Sequence, residues 1–147
     1  RAGRKAERGN VLIQVINTKH PVLHFVKQHD YSSFFKYEME GRERFFYPPF
    51  SRIILITFRH KLKEVVKEAS QAFALGLRKK LEKYIVGPAE PPINRVRNQY
   101  LMELLLKLPR DTLFIHRSKI FIREQINDMH QDKKFRSVVM VVNVDPV

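Results

Sequence analysis

Two arginines and a tyrosine lie close together in the segment Arg95–Tyr100, whose sequence is Arg-Val-Arg-Asn-Gln-Tyr. A strand–turn–strand conformation would place Arg95, Arg97 and Tyr100 near the tip of a hairpin. A guanidinium group pairs well with phosphate, and an aromatic ring can stack on an unpaired base. The segment therefore predicts contact with nucleic acid, while an ordinary basic hairpin exposed to solvent is the alternative.

A second group of cations stands near the end of a long amphipathic pattern and consists of Arg78, Lys79, Lys80 and Lys83. Cations near the C-terminus of a helix interact favourably with the helix dipole, by about 0.3–1 kcal/mol each. Helix stability therefore accounts for much of this cluster. We keep it as a second candidate DNA contact, after the Arg95–Tyr100 segment.

Metal and hydrolytic chemistry are not indicated by the sequence. His20 and His24 have i, i+4 spacing, but Pro21 lies between them and no third ligand follows at a recognisable spacing. The chain contains no cysteine, which excludes a disulfide framework and a thiolate metal site. The acidic residues are scattered, without a paired set of carboxylates. We therefore predict no metal site and no cofactor site in this chain.

Positive charge is concentrated in the middle of the sequence. The 147 residues carry a formal net charge of +13. Residues 51–110 hold thirteen Lys and Arg against five Asp and Glu, so they contribute most of that excess. Such uneven basicity is typical of a polyanion-binding surface, most often for nucleic acid. No run of about 20 apolar residues could cross a bilayer and no secretory signal is visible, so we expect a monomeric cytoplasmic protein.

Strand and helix patterns alternate from Ser51 onward. A stripe of apolar residues at steps of three and four predicts a helix over residues 61–84. Asp111 or Thr112 could cap a second helix that ends near His130. The strands are expected at residues 53–58, from residue 85 onward, at 100–107 and at 137–144.

The order of these elements, β-α-β-β-α-β, predicts an α+β fold with a ferredoxin-like arrangement of one sheet and two helices on one face. The closing strand, residues 137–144, is nearly all Val and Met, so we expect it to be central and covered. Before this domain, residues 11–16 predict a short strand, and a helical segment begins at Pro21. Pro48-Pro49 forces an extended stretch and marks a domain boundary.

Several segments, far apart in the chain, match one family in the same order. The chain resembles the C-terminal part of the primosomal protein N′ family of replication-restart DNA helicases. Leu101 departs from the family pattern, which has a basic residue directly after the tyrosine of the hairpin. The matching segments are Arg1-Ala2-Gly3-Arg4, Tyr47-Pro48-Pro49-Phe50-Ser51-Arg52, Gly87-Pro88-Ala89, Arg95-Val96-Arg97 with Tyr100, and Val144-Asp145-Pro146.

This resemblance implies a role for Arg1 and Arg4, which match arginines that reach the nucleotide phosphates in the helicase motor. It also implies a longer parent protein, an ATP-dependent 3′–5′ DNA helicase that uses ATP with Mg²⁺ and a structural zinc. The phosphate loop and the metal-holding acid are missing here, so we expect this chain alone not to be an enzyme. The implied divisions are a remnant of the second helicase lobe at 1–19, a helical linker at 20–50 and a DNA-binding domain at 51–147.

The resemblance implies branched or forked DNA as the main partner, together with other primosome proteins. The alternative function is that of a protein-interaction module, because the resemblance also implies binding to the acidic tail of single-stranded-DNA-binding protein. Arg110 and Arg117 flank the start of the second helix and could receive a terminal carboxylate, with apolar support from Phe114. The two functions could share one surface.

Overall fold

The structure is a computed structural model that describes residues 11–146. The described residues fall into two units that divide between Glu40 and Gly41. The first unit contains helix α1 (Pro21–Gln28) and most of helix α2 (Tyr31–Arg44). His20 caps α1, because its Nδ1 accepts a hydrogen bond from the backbone N–H of Val22 at 3.3 Å. The helical segment predicted from Pro21 thus consists of two helices.

The strand predicted at residues 11–16 is absent. These residues have no regular secondary structure and are exposed. A β-strand needs a neighbouring strand to pair its backbone N–H and C=O groups, and no described strand pairs with this segment. A run of aliphatic residues alone was therefore a misleading signal.

The second unit is built from five strands and two long helices. Helix α3 (Lys63–Leu81) is followed by a short 3₁₀ turn, Glu82–Tyr84, and helix α4 (Thr112–Gln131) begins after its cap, Asp111. The Asp111 side chain accepts a hydrogen bond from the Phe114 N–H at 2.6 Å, as the sequence predicted. The strands are β1 (Ser51–His60), β2 (Ile85–Ala89), β3 (Arg95–Val96), β4 (Gln99–Pro109) and β5 (Val139–Val144).

All the strand pairs in the sheet are antiparallel. The order is β2-β4-β1-β5, and the short β3 pairs with β4 beside the hairpin turn. The described part of the chain is thus an α+β fold with one antiparallel five-stranded sheet and four α-helices. None of these helices is long and apolar enough to span a bilayer.

The prediction that the closing strand is central was wrong. β5 pairs with β1 only, so it forms an edge of the sheet, and Val139 and Val144 are exposed. The central positions belong to β1 and β4, whose alternating residues are almost fully buried. β2 forms the opposite edge of the sheet, a position that suits a strand containing Pro88.

The core lies between the two long helices and one face of the sheet. Ile54, Ile56 and Phe58 of β1 meet the even-numbered residues of β4 on this face. Helix α3 supplies Phe73, whose ring centre is 5.4 Å from that of Phe58, and α4 supplies Ile122. Aromatic and aliphatic side chains of this size each stabilise a fold by about 1.5–3 kcal/mol when fully buried. The strands are therefore held rigidly enough to carry a site at their ends.

Candidate functional site

The segment Arg95–Tyr100 forms the hairpin that the sequence predicted. Arg97 and Asn98 are its two turn residues, and both have positive φ, 48° and 61°. This conformation is typical of the tight two-residue turns that join antiparallel strands. Arg95 pairs with Tyr100 and Val96 with Gln99 across the turn. The turn therefore carries Arg97 to its exposed tip.

The three candidate side chains of the hairpin differ in how accessible they are. The Arg95 guanidinium carbon lies 5.0 Å from the centre of the Tyr100 ring, and an Arg95 N–H donates to the Asn98 side-chain oxygen. Tyr100 is half-buried and packs against the core, so a large part of its ring is already covered. Arg97 is exposed. Phosphate contact by the arginines is therefore compatible with the geometry, whereas base stacking on Tyr100 would need Arg95 to move.

Glu90 anchors the segment that leads into the hairpin. Its carboxylate accepts from Asn94 Nδ2 at 2.9 Å and pairs with Lys63 Nζ at 2.7 Å. The hydrogen bond from Lys63 is the main reason that the pKa of Glu90 lies below its usual value, and Asn94 adds to the effect. The same hydrogen bond raises the pKa of Lys63. Lys63 is thus committed to an internal ion pair.

The four cations near the end of α3, which we call the helix-end cluster, are only partly free for a ligand. They are Arg78, Lys79, Lys80 and Lys83. Arg78 donates to the backbone carbonyl of Gly87 at 2.8 Å, and Lys80 Nζ lies 4.4 Å from the centre of the Phe121 ring. Lys79 and Lys83 are exposed. Two of the four cations therefore have a contact within the fold.

The residues proposed to receive an acidic tail differ in whether they make contacts within the fold. Arg110 donates to the Pro49 carbonyl at 3.2 Å, and the Phe114 ring packs edge-on against Tyr84 at 5.1 Å between ring centres. Arg117 is exposed on α4. The structure therefore gives Arg110 and Phe114 roles in the fold and leaves Arg117 at the surface.

Sequence reasoning missed an apolar groove between α4 and β5. The groove has a volume of ≈ 240 Å³, and two cations of α4, Lys119 and Arg123, form part of its lining. The i, i+4 spacing of these two cations is the only sequence signal for it, since β5 was expected to be central. The apolar residues of the groove are Ile54, Ile122, Ile126, Val142 and Val144.

Sequence reasoning also missed the contact between Arg52 and Asp145, which are 93 positions apart. Asp145 Oδ1 accepts the Ile53 N–H at 2.9 Å, Oδ2 pairs with the Arg52 guanidinium, and the Asp145 N–H donates to the Ile53 carbonyl at 2.8 Å. Partial burial by itself would raise the pKa of Asp145, but the hydrogen bonds from Arg52 and Ile53 outweigh it and lower that pKa. Asp145 therefore fixes the end of β5 to the start of β1.

The segment before β1, Tyr47-Pro48-Pro49-Phe50, which we call the tyrosine–proline segment, is held by a cation of β4. Lys107 Nζ lies 3.6 Å from the centre of the Tyr47 ring and donates to the Phe45 carbonyl at 2.8 Å. Ser51 Oγ donates to the Phe46 carbonyl at 2.8 Å. This segment consequently has a role in the fold that requires no ligand.

The family model described as "Primosomal protein N C-terminal domain" matches residues 43–147. This range contains the hairpin, the helix-end cluster and both long helices. The chain belongs to this family.

Curated relatives of the family match over most of the chain. "Replication restart protein PriA" of Synechocystis is 38% identical over 111 residues, 74% of this chain and 13% of the relative. The protein of the same name from Bacillus subtilis is 33% identical over 76% of this chain and 14% of the relative. That of Helicobacter pylori strain 26695 is 31% identical over 99% of this chain and 22% of the relative. The chain thus spans about a fifth or less of the length of these family members.

Family membership accounts for the segments that the sequence singled out within residues 43–147. The segment from Tyr47 to Arg52 and the segment at Asp145 meet through the Arg52–Asp145 ion pair, so these two matches describe one structural junction. Arg1 and Arg4, the candidate nucleotide contacts, lie outside the described residues. Within residues 11–146 no three His, Asp or Glu side chains are grouped as a metal site would require.

Proposed function

We propose that this chain is the DNA-binding C-terminal domain of an ATP-dependent 3′–5′ DNA helicase that acts in replication restart and primosome assembly in the cytoplasm. Family membership and the name of the relatives support this proposal. Branched DNA is the proposed ligand, with other primosome proteins as further partners. Because the chain has no cysteine, zinc binding would fall to the rest of the longer protein, as would most of the ATP and Mg²⁺ site.

The fold proposed for this domain is the ferredoxin-like arrangement of residues 51–147, preceded by a linker at 20–50 and a helicase remnant at 1–19. The strand order β2-β4-β1-β5 supports this arrangement, as does the packing of α3 and α4 against one face of the sheet. Such a sheet leaves its strand ends and connecting hairpins available for a ligand.

The hairpin is the single observation on which DNA binding rests most directly. Arg95 and Arg97 are exposed beside a turn that is fixed by two positive-φ residues and by the Glu90 contacts. A rigid hairpin loses little conformational entropy when its guanidinium groups meet phosphates. Such contacts position a nucleic acid without reading its sequence.

The test compares wild type with the double variant Arg95→Ala/Arg97→Ala in binding to forked and duplex DNA over a series of salt concentrations. Each lost phosphate contact should lower the slope of log affinity against log salt by about 1, so the double variant should lose about 2 and bind every sequence more weakly. Tyr100→Ala should cost about 1–3 kcal/mol only with DNA that offers an unpaired base.

The control is Lys79→Ala/Lys83→Ala, which removes the same charge from the helix-end cluster. If the arginine variant stays folded and keeps both affinity and slope while the lysine variant loses them, the helix end is the DNA contact. If neither variant changes binding, neither the hairpin nor the helix end is the DNA contact, and if the wild-type chain does not bind forked or duplex DNA, the proposed function is wrong.

Docking of the acidic tail of single-stranded-DNA-binding protein is the second candidate function, and the apolar groove favours it. A groove lined by Ile and Val side chains together with Lys119 and Arg123 is complementary to a peptide that ends in an apolar residue and a carboxylate. The sequence had placed this site at Arg110, Arg117 and Phe114 instead.

Titration of a labelled acidic tail peptide separates the two positions. Lys119→Ala/Arg123→Ala should weaken binding if the groove is the site, and Arg110→Ala/Arg117→Ala should do so if the start of α4 is the site. Unchanged affinity in both variants would remove this candidate. Competition between the peptide and forked DNA tests whether the two ligands share a surface.

A further inference from the structure

Three segments that are far apart in the sequence meet at one end of the sheet. The register pairs Arg59 of β1 with Leu101 of β4 on one side and with Val139 of β5 on the other. His60, the next residue, pairs with Tyr100, which itself pairs with Arg95. The turn from β1 to α3, the β3–β4 hairpin and the loop before β5 are therefore neighbours.

Side-chain contacts order the turn and the hairpin, and one of them joins the turn to the loop before β5. His60 Nδ1 accepts the Leu62 N–H at 3.0 Å, and His60 Nε2 lies 3.2 Å from the hydroxyl of Ser137, in the loop before β5. On the hairpin side, the Arg95 guanidinium covers part of the Tyr100 ring. The three segments thus form one pre-organised surface, which we call the basic sheet end.

Among residues 11–146, acidic side chains form ion pairs with two cations of the basic sheet end. Glu90 pairs with Lys63 and Glu68 with Lys134, each at 2.7 Å. Asp132 accepts the backbone N–H of Lys134 at 2.8 Å.

The remaining cations come from all three segments, and every one of them is exposed. None of them makes an ion pair with an acidic residue in the part of the chain that the structure describes. These cations are Arg59 from the end of β1, Lys61 from the turn that follows, Arg95 and Arg97 from the hairpin, and Lys133 and Arg136 from the loop.

We propose that the basic sheet end is one continuous binding surface for a nucleic-acid phosphate backbone, formed by the β1–α3 turn and the loop before β5 together with the hairpin. Four strands, β3, β4, β1 and β5, lie side by side here, which gives a width of about 14 Å. That width is enough for several successive phosphates of one strand, spaced about 3.4 Å along the helix axis. The inference rests on the proposed DNA-binding function and extends it to residues outside the hairpin.

The choice of a phosphate backbone follows from the surface chemistry. The free groups are long flexible cations spread over three segments, an arrangement that suits a ligand with repeated anionic groups. When such cations neutralise phosphates, the nucleic acid releases counterions, and this release favours binding without any recognition of the bases. An acidic polypeptide is the other ligand that this charge could attract, and the test includes it.

The experiment uses the whole chain and the triple variant Lys61→Gln/Lys133→Gln/Arg136→Gln. The control triple variant Lys19→Gln/Lys27→Gln/Lys36→Gln removes the same charge from exposed positions in the first unit. Binding of duplex and forked DNA is measured across a salt series, and poly-glutamate binding is measured in parallel. Thermal unfolding followed by circular dichroism checks that each variant is folded.

The expected result is that the sheet-end variant lowers the log–log salt slope by about 2–3 and weakens DNA binding at least about tenfold, whereas the control does neither. If the sheet-end variant matches the control while Arg95→Ala/Arg97→Ala loses affinity, this inference is overturned and the proposed function stands. If the hairpin, sheet-end and helix-end variants all bind DNA as the control does, the proposed function fails as well. Loss of poly-glutamate binding with DNA binding intact would assign the surface to an acidic protein.

Discussion

Asp145 shows how a single side chain can join the two ends of a domain. Its carboxylate accepts the Ile53 N–H and pairs with Arg52. Asp145→Ala should lower the free energy of unfolding by about 1–2 kcal/mol, because a partly buried N–H loses its acceptor. Asp145→Asn keeps an acceptor and tolerates the positive φ of 47°, so it should cost less. Urea unfolding at pH 6 measures both values.

The charge of Asp145 should also make stability depend on pH. Its pKa in the folded state lies below the ordinary value of 3.8, so its contribution is present above pH 3.8 and is lost as the pH falls through the lower folded-state pKa. The stability difference between wild type and Asp145→Asn should therefore be constant near neutrality and shrink at pH 3. A difference that is unchanged between pH 6 and pH 3 would show that the carboxylate charge contributes nothing.

Residues with local signals were predictable, and residues with distant partners were not. The cap at Asp111 and the hairpin at Arg97 follow from neighbours within a few positions, and both are present. The Arg52–Asp145 ion pair joins positions 93 apart, and nothing in either local sequence indicates the other. The engagement of Arg110 with Pro49 was equally invisible, which is why Arg110 was assigned to a partner site.

At the level of secondary-structure elements, replacing two glycines by alanine should have opposite effects on stability. Gly87 in β2 has a φ of 99°, and a Cβ there would lie 3.0 Å from the Glu103 carbonyl oxygen and 3.1 Å from the Ala89 nitrogen. These are backbone atoms of paired strands, so Gly87→Ala should destabilise the fold by about 1–3 kcal/mol. Chemical denaturation provides the measurement.

Gly76 in α3 is the matched control for Gly87. A Cβ at Gly76 would clash with the Gln125 side-chain oxygen, but that atom is the end of a flexible side chain and can move. Alanine is also favoured over glycine within a helix by about 1 kcal/mol. Gly76→Ala should therefore leave stability unchanged or raise it. A large loss here would mean that Gln125 is held in place.

Apolar patterns predicted the elements better than their positions in the sheet. The three- and four-residue steps that predicted α3 coincide with buried residues such as Val66, Phe73 and Leu77. The Val-rich β5 was placed in the centre, but it is an edge whose side chains line the groove with α4. Composition reports that a strand is apolar, whereas its place in the sheet depends on pairings that are set by the whole chain.

At the scale of the whole molecule, the described cations differ in whether they have a contact within the fold. Several cations near the tyrosine–proline segment and the helix end contact carbonyl groups or aromatic rings, as Lys107, Arg110, Arg78 and Lys80 do. The basic sheet end retains exposed cations without acidic partners among the described residues. Net charge therefore predicted a polyanion ligand, while only the contacts indicate which end of the sheet could bind it.

The whole chain is not expected to hydrolyse ATP in response to DNA. The resemblance to replication-restart helicases implies that Arg1 and Arg4 match arginines that stabilise the charge on a transferring phosphoryl group, which requires other residues to bind the nucleotide and its Mg²⁺. The sequence contains no phosphate loop, so the chain should show no ATP turnover that forked DNA stimulates. Phosphate release would be measured with and without forked DNA for wild type and for Arg1→Ala/Arg4→Ala, which should give the same background rate. DNA-stimulated turnover that is present in wild type and lost in the double variant would contradict this prediction and would show a nucleotide site within these 147 residues.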